Sequence, residues 1–183
     1  MIITILAEPR SGSTNLANWF YSNKNFTTLF IPSDPKSKWY KTQTPKEYKY
    51  STKYLLIKED YYHYKNYDEL ISISNKIIFL YRENTEEQIE SWTNAKLKNN
   101  WENGWVYDDI KNDKETNFFL ELKKSFKETY LNKDYFNISY EELYYNNGFQ
   151  KILDYLDITE LENKNFPIGQ KYRINVNKTK SLI

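Results

Sequence analysis

Apolar residues along this chain recur in two rhythms. Ile2 to Leu6 is a short, nearly continuous apolar and β-branched run, as expected of a buried strand. It breaks at Glu8-Pro9-Arg10-Ser11-Gly12-Ser13-Thr14, a stretch rich in turn formers, after which Leu16, Ala17, Trp19 and Phe20 recur at helical spacing. Ser13 or Thr14 is expected to cap that helix. Phe26 to Ile31, Tyr54 to Ile57, Lys76 to Tyr81 and Tyr135 to Ile138 read as further strands. Helices are expected over Thr85 to Lys98, with Ile89, Trp92, Ala95 and Lys96 at helical spacing, and over Thr116 to Leu131, with Phe118, Phe119, Leu122 and Phe126 on one face. Glu141 to Tyr145 and Phe149 to Leu156 are shorter helices. Residues 32–50 hold Pro32, Pro35 and Pro45 with little periodicity and read as an irregular loop. The tail from Pro167 reads as a basic loop, with Ser181 to Ile183 beginning a last helix. Strands alternating with helices predict an α/β fold: a single three-layer domain over residues 1–183 with a mainly parallel sheet.

Composition narrows the chemistry. Hydrophobic residues make up 39% and charged residues 28% of the 183, which suits a soluble globule rather than a disordered tail. With 26 basic and 25 acidic side chains the net charge is +1, so a nucleic-acid partner is not expected, while a local anion site is compatible. The absence of cysteine excludes disulfides, zinc–thiolate sites and a cysteine nucleophile. The single histidine, His63, excludes a multi-histidine metal site. No apolar run reaches membrane-spanning length and no secretory signal pattern opens the chain, so a cytoplasmic protein without a membrane span is expected. Tyr, Asn, Lys and Ile crowd the chain as they would after translation from an AT-rich genome. Runs such as Tyr61-Tyr62-His63-Tyr64 are therefore read as composition rather than as a binding surface.

Two motifs carry chemistry. In Pro9-Arg10-Ser11-Gly12-Ser13-Thr14-Asn15-Leu16, small residues between a strand and a helix N-terminus present backbone N–H groups to an anion, and the helix dipole adds to the attraction. Gly12 permits close backbone approach, the hydroxyls of Ser11, Ser13 and Thr14 can donate, and Arg10 adds a fixed positive charge. The loop lacks the second glycine and the Lys-Ser or Lys-Thr of the magnesium-dependent nucleotide triphosphatase motif. The second motif is Leu80-Tyr81-Arg82-Glu83-Asn84 with Gln88, Ser91 and Trp92. Arg82 leaves a strand at the sheet edge where open parallel sheets take ligands, and Ser91 follows nine residues later on a helix. The two side chains can converge on one phosphate. Singly, the first motif could also be a strand-to-helix turn with a good cap, though the anion loop is preferred, and the second is at least as well read as an exposed Arg beside a surface Ser.

Together they resemble the sulfotransferase family, which uses 3′-phosphoadenosine 5′-phosphosulfate (PAPS) as sulfuryl donor. That resemblance implies a sulfotransferase-like α/β domain with a P-loop-like turn. It implies that Arg10, Ser11, Gly12, Ser13, Thr14 and Asn15 hold the 5′-phosphosulfate, and that Arg82 and Ser91 hold the 3′-phosphate. The Arg-to-Ser spacing, with Gln88, Ala95 and Trp101, looks most like the bacterial trehalose-type and lipopolysaccharide-modifying branch, with a phage or bacterial source in keeping. Ser139-Tyr140-Glu141-Glu142-Leu143 and Ile152-Leu153-Asp154-Tyr155-Leu156 resemble a later family segment, so the likeness runs from about Met1 to Leu156.

The resemblance implies transfer of a sulfuryl group to a hydroxyl or amine of a small-molecule or glycan acceptor, with adenosine 3′,5′-bisphosphate as product and no metal. Arg10 would stabilise charge on the transferring group. A general base is needed near an acceptor hydroxyl. Glu59 ranks first, His63 and Asp60 next and Asp34 last. Arg173, Lys178 and Lys180 in the basic tail are candidates to close over the 3′-phosphate. Trp39, Tyr40, Trp101 and Trp105 lie in loops suited to an acceptor. Two alternatives stay open: a non-catalytic nucleotide- or partner-binding module on the same fold, and a nucleotide or small-molecule kinase, which the missing loop lysine disfavours.

Overall fold

A computed structural model of the chain describes residues 1–35, 37, 40, 47–61, 67–97, 113–131, 135–161 and 166. Five strands lie in the order β2-β3-β1-β4-β5, and all four pairings are parallel. β1 (Ile2–Ala7) is central, between β3 (Tyr54–Asp60) and β4 (Lys76–Tyr81), with β2 (Phe26–Phe30) and β5 (Phe136–Ser139) at the edges. Strands buried on both faces need no polar alternation, which explains the near-continuous apolar runs in β1 and β4.

Helices cover both faces. On one, α1 (Ser13–Tyr21), α5 (Tyr140–Tyr145) and α6 (Gly148–Leu156) bring Leu16, Phe20, Leu143 and Ile152 against Ile3, Ile5, Ala7, Leu56, Ile78 and Leu80. On the other, α2 (Tyr67–Ile73) sets Leu70 on Leu55 and Ile57. There too, α4 (Asp113–Phe126) and the π-helical turn Lys127–Leu131 set Phe126 and Tyr130 on Leu6, Ile77 and Phe79. α3 (Thr85–Leu97) follows β4 and meets α4 where Trp92 packs on Phe119, ring centroids 5.5 Å apart. The result is the expected three-layer α/β arrangement, with a wholly parallel sheet among the described residues. No helix among them is long and apolar enough to cross a membrane.

Several local expectations are corrected. The N-cap of α1 is Gly12, at φ 81°, with no side-chain cap, and Ser13 and Thr14 already belong to the helix. A left-handed residue lets the chain turn sharply off β1, which leaves the hydroxyls of Ser13 and Thr14 without a capping role. β3 runs on through Lys58 and Glu59 to Asp60, because Lys58 and Asp60 pair with each other at 2.6 Å and their strand stays in register with β1. β2 stops at Phe30: Ile31 turns to φ 47° while its N–H donates to the Lys58 carbonyl at 2.7 Å. α2 was not expected, since only Leu70 of its seven residues is buried and no apolar period announces it. Phe118 does not join the apolar face of α4 and is 51% exposed. Phe119, Phe126 and Tyr130 form the buried stripe, with the π turn carrying Tyr130 back under the sheet. By contrast, α5 has a side-chain cap: Ser139 Oγ accepts the Glu142 N–H at 3.0 Å. The expected terminal helix at 181–183 lies outside the described residues.

Phe126→Ala should cost ~3–5 kcal/mol of stability by opening a cavity in the α4 layer, whereas Phe118→Ala should stay within ~0.5 kcal/mol. Urea unfolding of the two variants tests that assignment.

Candidate functional site

From the C-terminal end of β1 the chain crosses towards β2, and from that of β4 it crosses towards β5. The crevice between these two ends is the topological switch point, where open parallel sheets hold ligands. Both motifs meet there. Arg10 Nε donates to Ser91 Oγ at 3.0 Å, joining the β1–α1 loop to α3. Arg82 leans on the same loop, with Nη1 at 3.5 Å from the Arg10 carbonyl. Arg10 itself sits at φ 62°, a left-handed conformation that a side chain with a Cβ adopts at a cost.

The loop is held from below. Ser11 N–H donates to the Glu8 carbonyl at 3.3 Å and Leu16 N–H to the Gly12 carbonyl at 3.2 Å. Tyr144 Oη also donates to the Gly12 carbonyl, at 2.9 Å. A Cβ at Gly12 would lie 2.7 Å from Tyr144 and 2.9 Å from Tyr140, so glycine is required by close packing as well as by φ. Ser11 Oγ is buried and has no hydrogen-bond partner among the described residues. A buried hydroxyl left unpaired is costly, and an anion resting on the loop would pair it. Thr14 is exposed, Asn15 half-buried and Ser13 buried.

Arg82 is 8% exposed and closely surrounded. Its guanidinium stacks 4.4 Å from the centroid of the Tyr140 ring, Nη2 pairs with Glu87 Oε2 at 2.7 Å, and Nε lies 3.8 Å from Glu141 Oε1. Glu141 is fixed by the N–H groups of Glu83 and Asn84, at 3.0 and 3.1 Å. Glu87 is half-exposed, and an anion approaching Arg82 would displace it. Arg82 Nε makes no hydrogen bond and is buried. Ser11 Oγ and Arg82 Nε are thus buried donors without a hydrogen bond among the described residues, with Arg82 Nε facing the Glu141 carboxylate at 3.8 Å.

Beneath the crevice Gln88 joins a polar network whose Glu8 and Lys123 the sequence reading missed. Glu8, 2% exposed, accepts the Arg82 N–H at 3.1 Å and Gln88 Nε2 at 3.2 Å. Gln88 Nε2 also donates to the Pro9 carbonyl at 2.7 Å. Lys123 reaches in from α4, donating to the Arg82 carbonyl and, at 2.8 Å, to Gln88 Oε1. Burial raises the Glu8 pKa and Lys123 opposes the rise, while burial lowers the Lys123 pKa and Glu8 opposes the fall. A charged residue directly after a buried strand is the one signal that could have singled out Glu8. Nothing in the spacing announces Lys123.

The candidate bases separate by face. Asp60 is paired in register with Ala7, on the side of the sheet that carries α1. Burial lowers the Arg10 pKa, Asp60 opposes that shift and the Arg82 charge adds to it. Glu59 points to the opposite face and is 1% exposed, with Oε1 accepting the Ser33 N–H at 2.9 Å and Oε2 the Ser33 hydroxyl at 2.8 Å. Burial drives its pKa up to about 8, against the pull of those two bonds. Asp34 is buried in the turn after β2, its N–H bonded to the Ile31 carbonyl at 3.1 Å. Tyr40 is exposed. His63, Trp39, Trp101, Trp105, Arg173, Lys178 and Lys180 lie outside the described residues.

Glu59 takes up its proton more readily in the fold than in the unfolded chain, where its ordinary value is 4.5. The folded protein therefore carries the extra proton between about pH 4.5 and 8, and stability falls as pH rises through that window. Glu59→Gln removes this loss and should raise stability at pH ~9 by on the order of a few kcal/mol, with the gain vanishing below pH ~4. Thermal melts across that range check it.

No family model matches the chain, and no curated protein sequence matches it significantly. Among solved structures it is similar to a mouse sulfotransferase, SULT7A1, complexed with PAP. The two share a TM-score of 0.51 and 17% identity over 87% of this chain. This chain spans 59% of the length of that one. At such identity the likeness concerns architecture: the five parallel strands and flanking helices form the sulfotransferase-like α/β fold.

Proposed function

We propose that this chain is a sulfotransferase that takes PAPS as donor and passes the sulfuryl group to a hydroxyl or amine of a small-molecule or glycan acceptor. The observation that carries the reading is the convergence of Arg10, Ser91 and Arg82 over the Ser11–Thr14 loop at the switch point. The N-terminal turn of α1 and Arg10 supply the charge complement of a phosphosulfate. In this reading Arg82 and Ser91 take the 3′-phosphate that distinguishes this nucleotide from an ordinary one. The Arg-to-Ser spacing favours the bacterial branch of such enzymes.

The chemistry then follows from positions. The acceptor oxygen or nitrogen attacks sulfur in line, forming an S–O or S–N bond, while the bond from sulfur to the bridging 5′-phosphate oxygen breaks and adenosine 3′,5′-bisphosphate leaves. Arg10 stabilises charge on the transferring group and on the leaving oxygen. The acceptor proton goes to Asp60, which ends β3 beside Ala7, is paired with Lys58 at 2.6 Å and acts electrostatically on Arg10. Glu59, held by Ser33 on the other face, takes no part in this scheme.

Calorimetry should find adenosine 3′,5′-bisphosphate bound at micromolar Kd, with ATP and magnesium at least about tenfold weaker, and Arg82→Ala should lose about 100-fold. Preference for ATP with magnesium would instead support a kinase. Bisphosphate binding without PAPS turnover across a panel of hydroxyl and amine acceptors would support a non-catalytic module. Where turnover is found, Asp60→Asn should lower kcat about 10²–10⁴-fold with bisphosphate affinity kept, and Glu59→Gln should leave kcat within about threefold.

A further inference from the structure

The loop proposed to hold an anion carries a buried carboxylate of its own. Glu8 directly follows β1, and its Oε2 anchors the Arg82 N–H. A negative charge at that depth, within the loop that would face phosphosulfate, opposes the donor more strongly than a surface charge would. Removing the carboxylate alone would free the Arg82 backbone; leaving it uncompensated would repel the ligand.

Lys123 answers both demands. Its ammonium stands 3.7 Å from Glu8 Oε2 and donates to the two groups that flank that carboxylate, the Arg82 carbonyl and Gln88 Oε1. Gln88 in turn grips the Pro9 carbonyl and Glu8. One side chain from α4 thereby adds to the Glu8–Arg82 and Arg10–Arg82 hydrogen bonds that already join the ends of β1 and β4. The other charges that act on Lys123 are Glu141 from α5 and Lys127 from the π turn, and among the described residues Lys123 is the cation that acts on Glu8. The phenol of Tyr81 is a further neighbour of the Glu8 charge.

We infer that Lys123 is a positioning residue of the donor site: it cancels the Glu8 charge beneath the anion loop, so that Glu8 can anchor the Arg82 backbone without repelling the donor. The inference rests on the proposed reading of the crevice as an adenosine bisphosphate site.

The test is calorimetry with adenosine 3′,5′-bisphosphate on the full chain, on Lys123→Met, on Glu8→Gln and on the double variant, with thermal melts to select temperatures at which each is folded. Lys123→Met should bind about tenfold more weakly or worse, and the double variant should return to within about threefold of the unaltered chain. The deficit of Lys123→Met relative to the double variant should widen as pH rises, because burial already raises the Glu8 pKa and an unpaired Glu8 sheds its proton only on the alkaline side, which a merely structural lesion would not produce. If Lys123→Met does not fold, the double variant decides: binding within about threefold supports the inference, and a tenfold loss overturns it. Unchanged binding by Lys123→Met, or no recovery in the double variant, also overturns it and leaves the donor reading standing. Failure of the unaltered chain to bind the bisphosphate would overturn both.

Discussion

Everything at the crevice depends on the parallel pairing of β1 with a neighbour on each side. β1 bonds to β3 from Ile2 through Ala7 and to β4 from Ile3 through Ala7, so its C-terminal end cannot shift without breaking both ladders. Parallel pairing puts the C-terminal ends of β1, β3 and β4 on one edge, and with them Arg10, Asp60 and Arg82. Three residues far apart in sequence are thus brought to one place by backbone hydrogen bonds, before any side chain contributes. The right-handed crossover of such units then decides that α1 leaves on the side where α5 and α6 pack.

Side chains refine what the ladder sets. The network of Glu8, Gln88 and Lys123 is expensive to bury, and each member is tolerated because its polar atoms have partners. The aromatic side is cheaper: Tyr140 and Tyr144 fill the space that a Cβ on Gly12 would need, and the same Tyr140 ring backs Arg82. One tyrosine therefore touches both the loop and the arginine. A site built this way varies little in shape, because its floor is close-packed and its walls are strand ends.

How much of this was legible in the sequence follows from the range over which each signal acts. Strand runs and helical periods are local, so the alternation of β and α elements could be read directly, as could Ser11–Thr14 and Arg82 at strand ends. α2 escaped because a helix with one buried residue has no period to read. Phe118 was misassigned because adjacent phenylalanines on a helix differ by about 100° and sequence alone does not say which faces inward. The cap of α1 was misassigned because Gly12 turns left-handed and leaves serine and threonine inside the helix. Glu59 and Asp60 are neighbours in sequence on opposite faces of β3, and only the extension of that strand to Asp60, set by register with β1, tells them apart. Lys123 was invisible, since its partners lie 35 and 41 residues away.

Arg10 has one further consequence. Held at φ 62°, it occupies a backbone conformation in which glycine would be more comfortable. Folding by itself would favour glycine there, and the proposed donor site would favour a guanidinium. Position 10 is thus where natural drift towards greater robustness and natural retention of activity pull in opposite directions. A lineage that had lost its activity would be expected to let this arginine go early, while Gly12, wedged under two tyrosines, would outlast it.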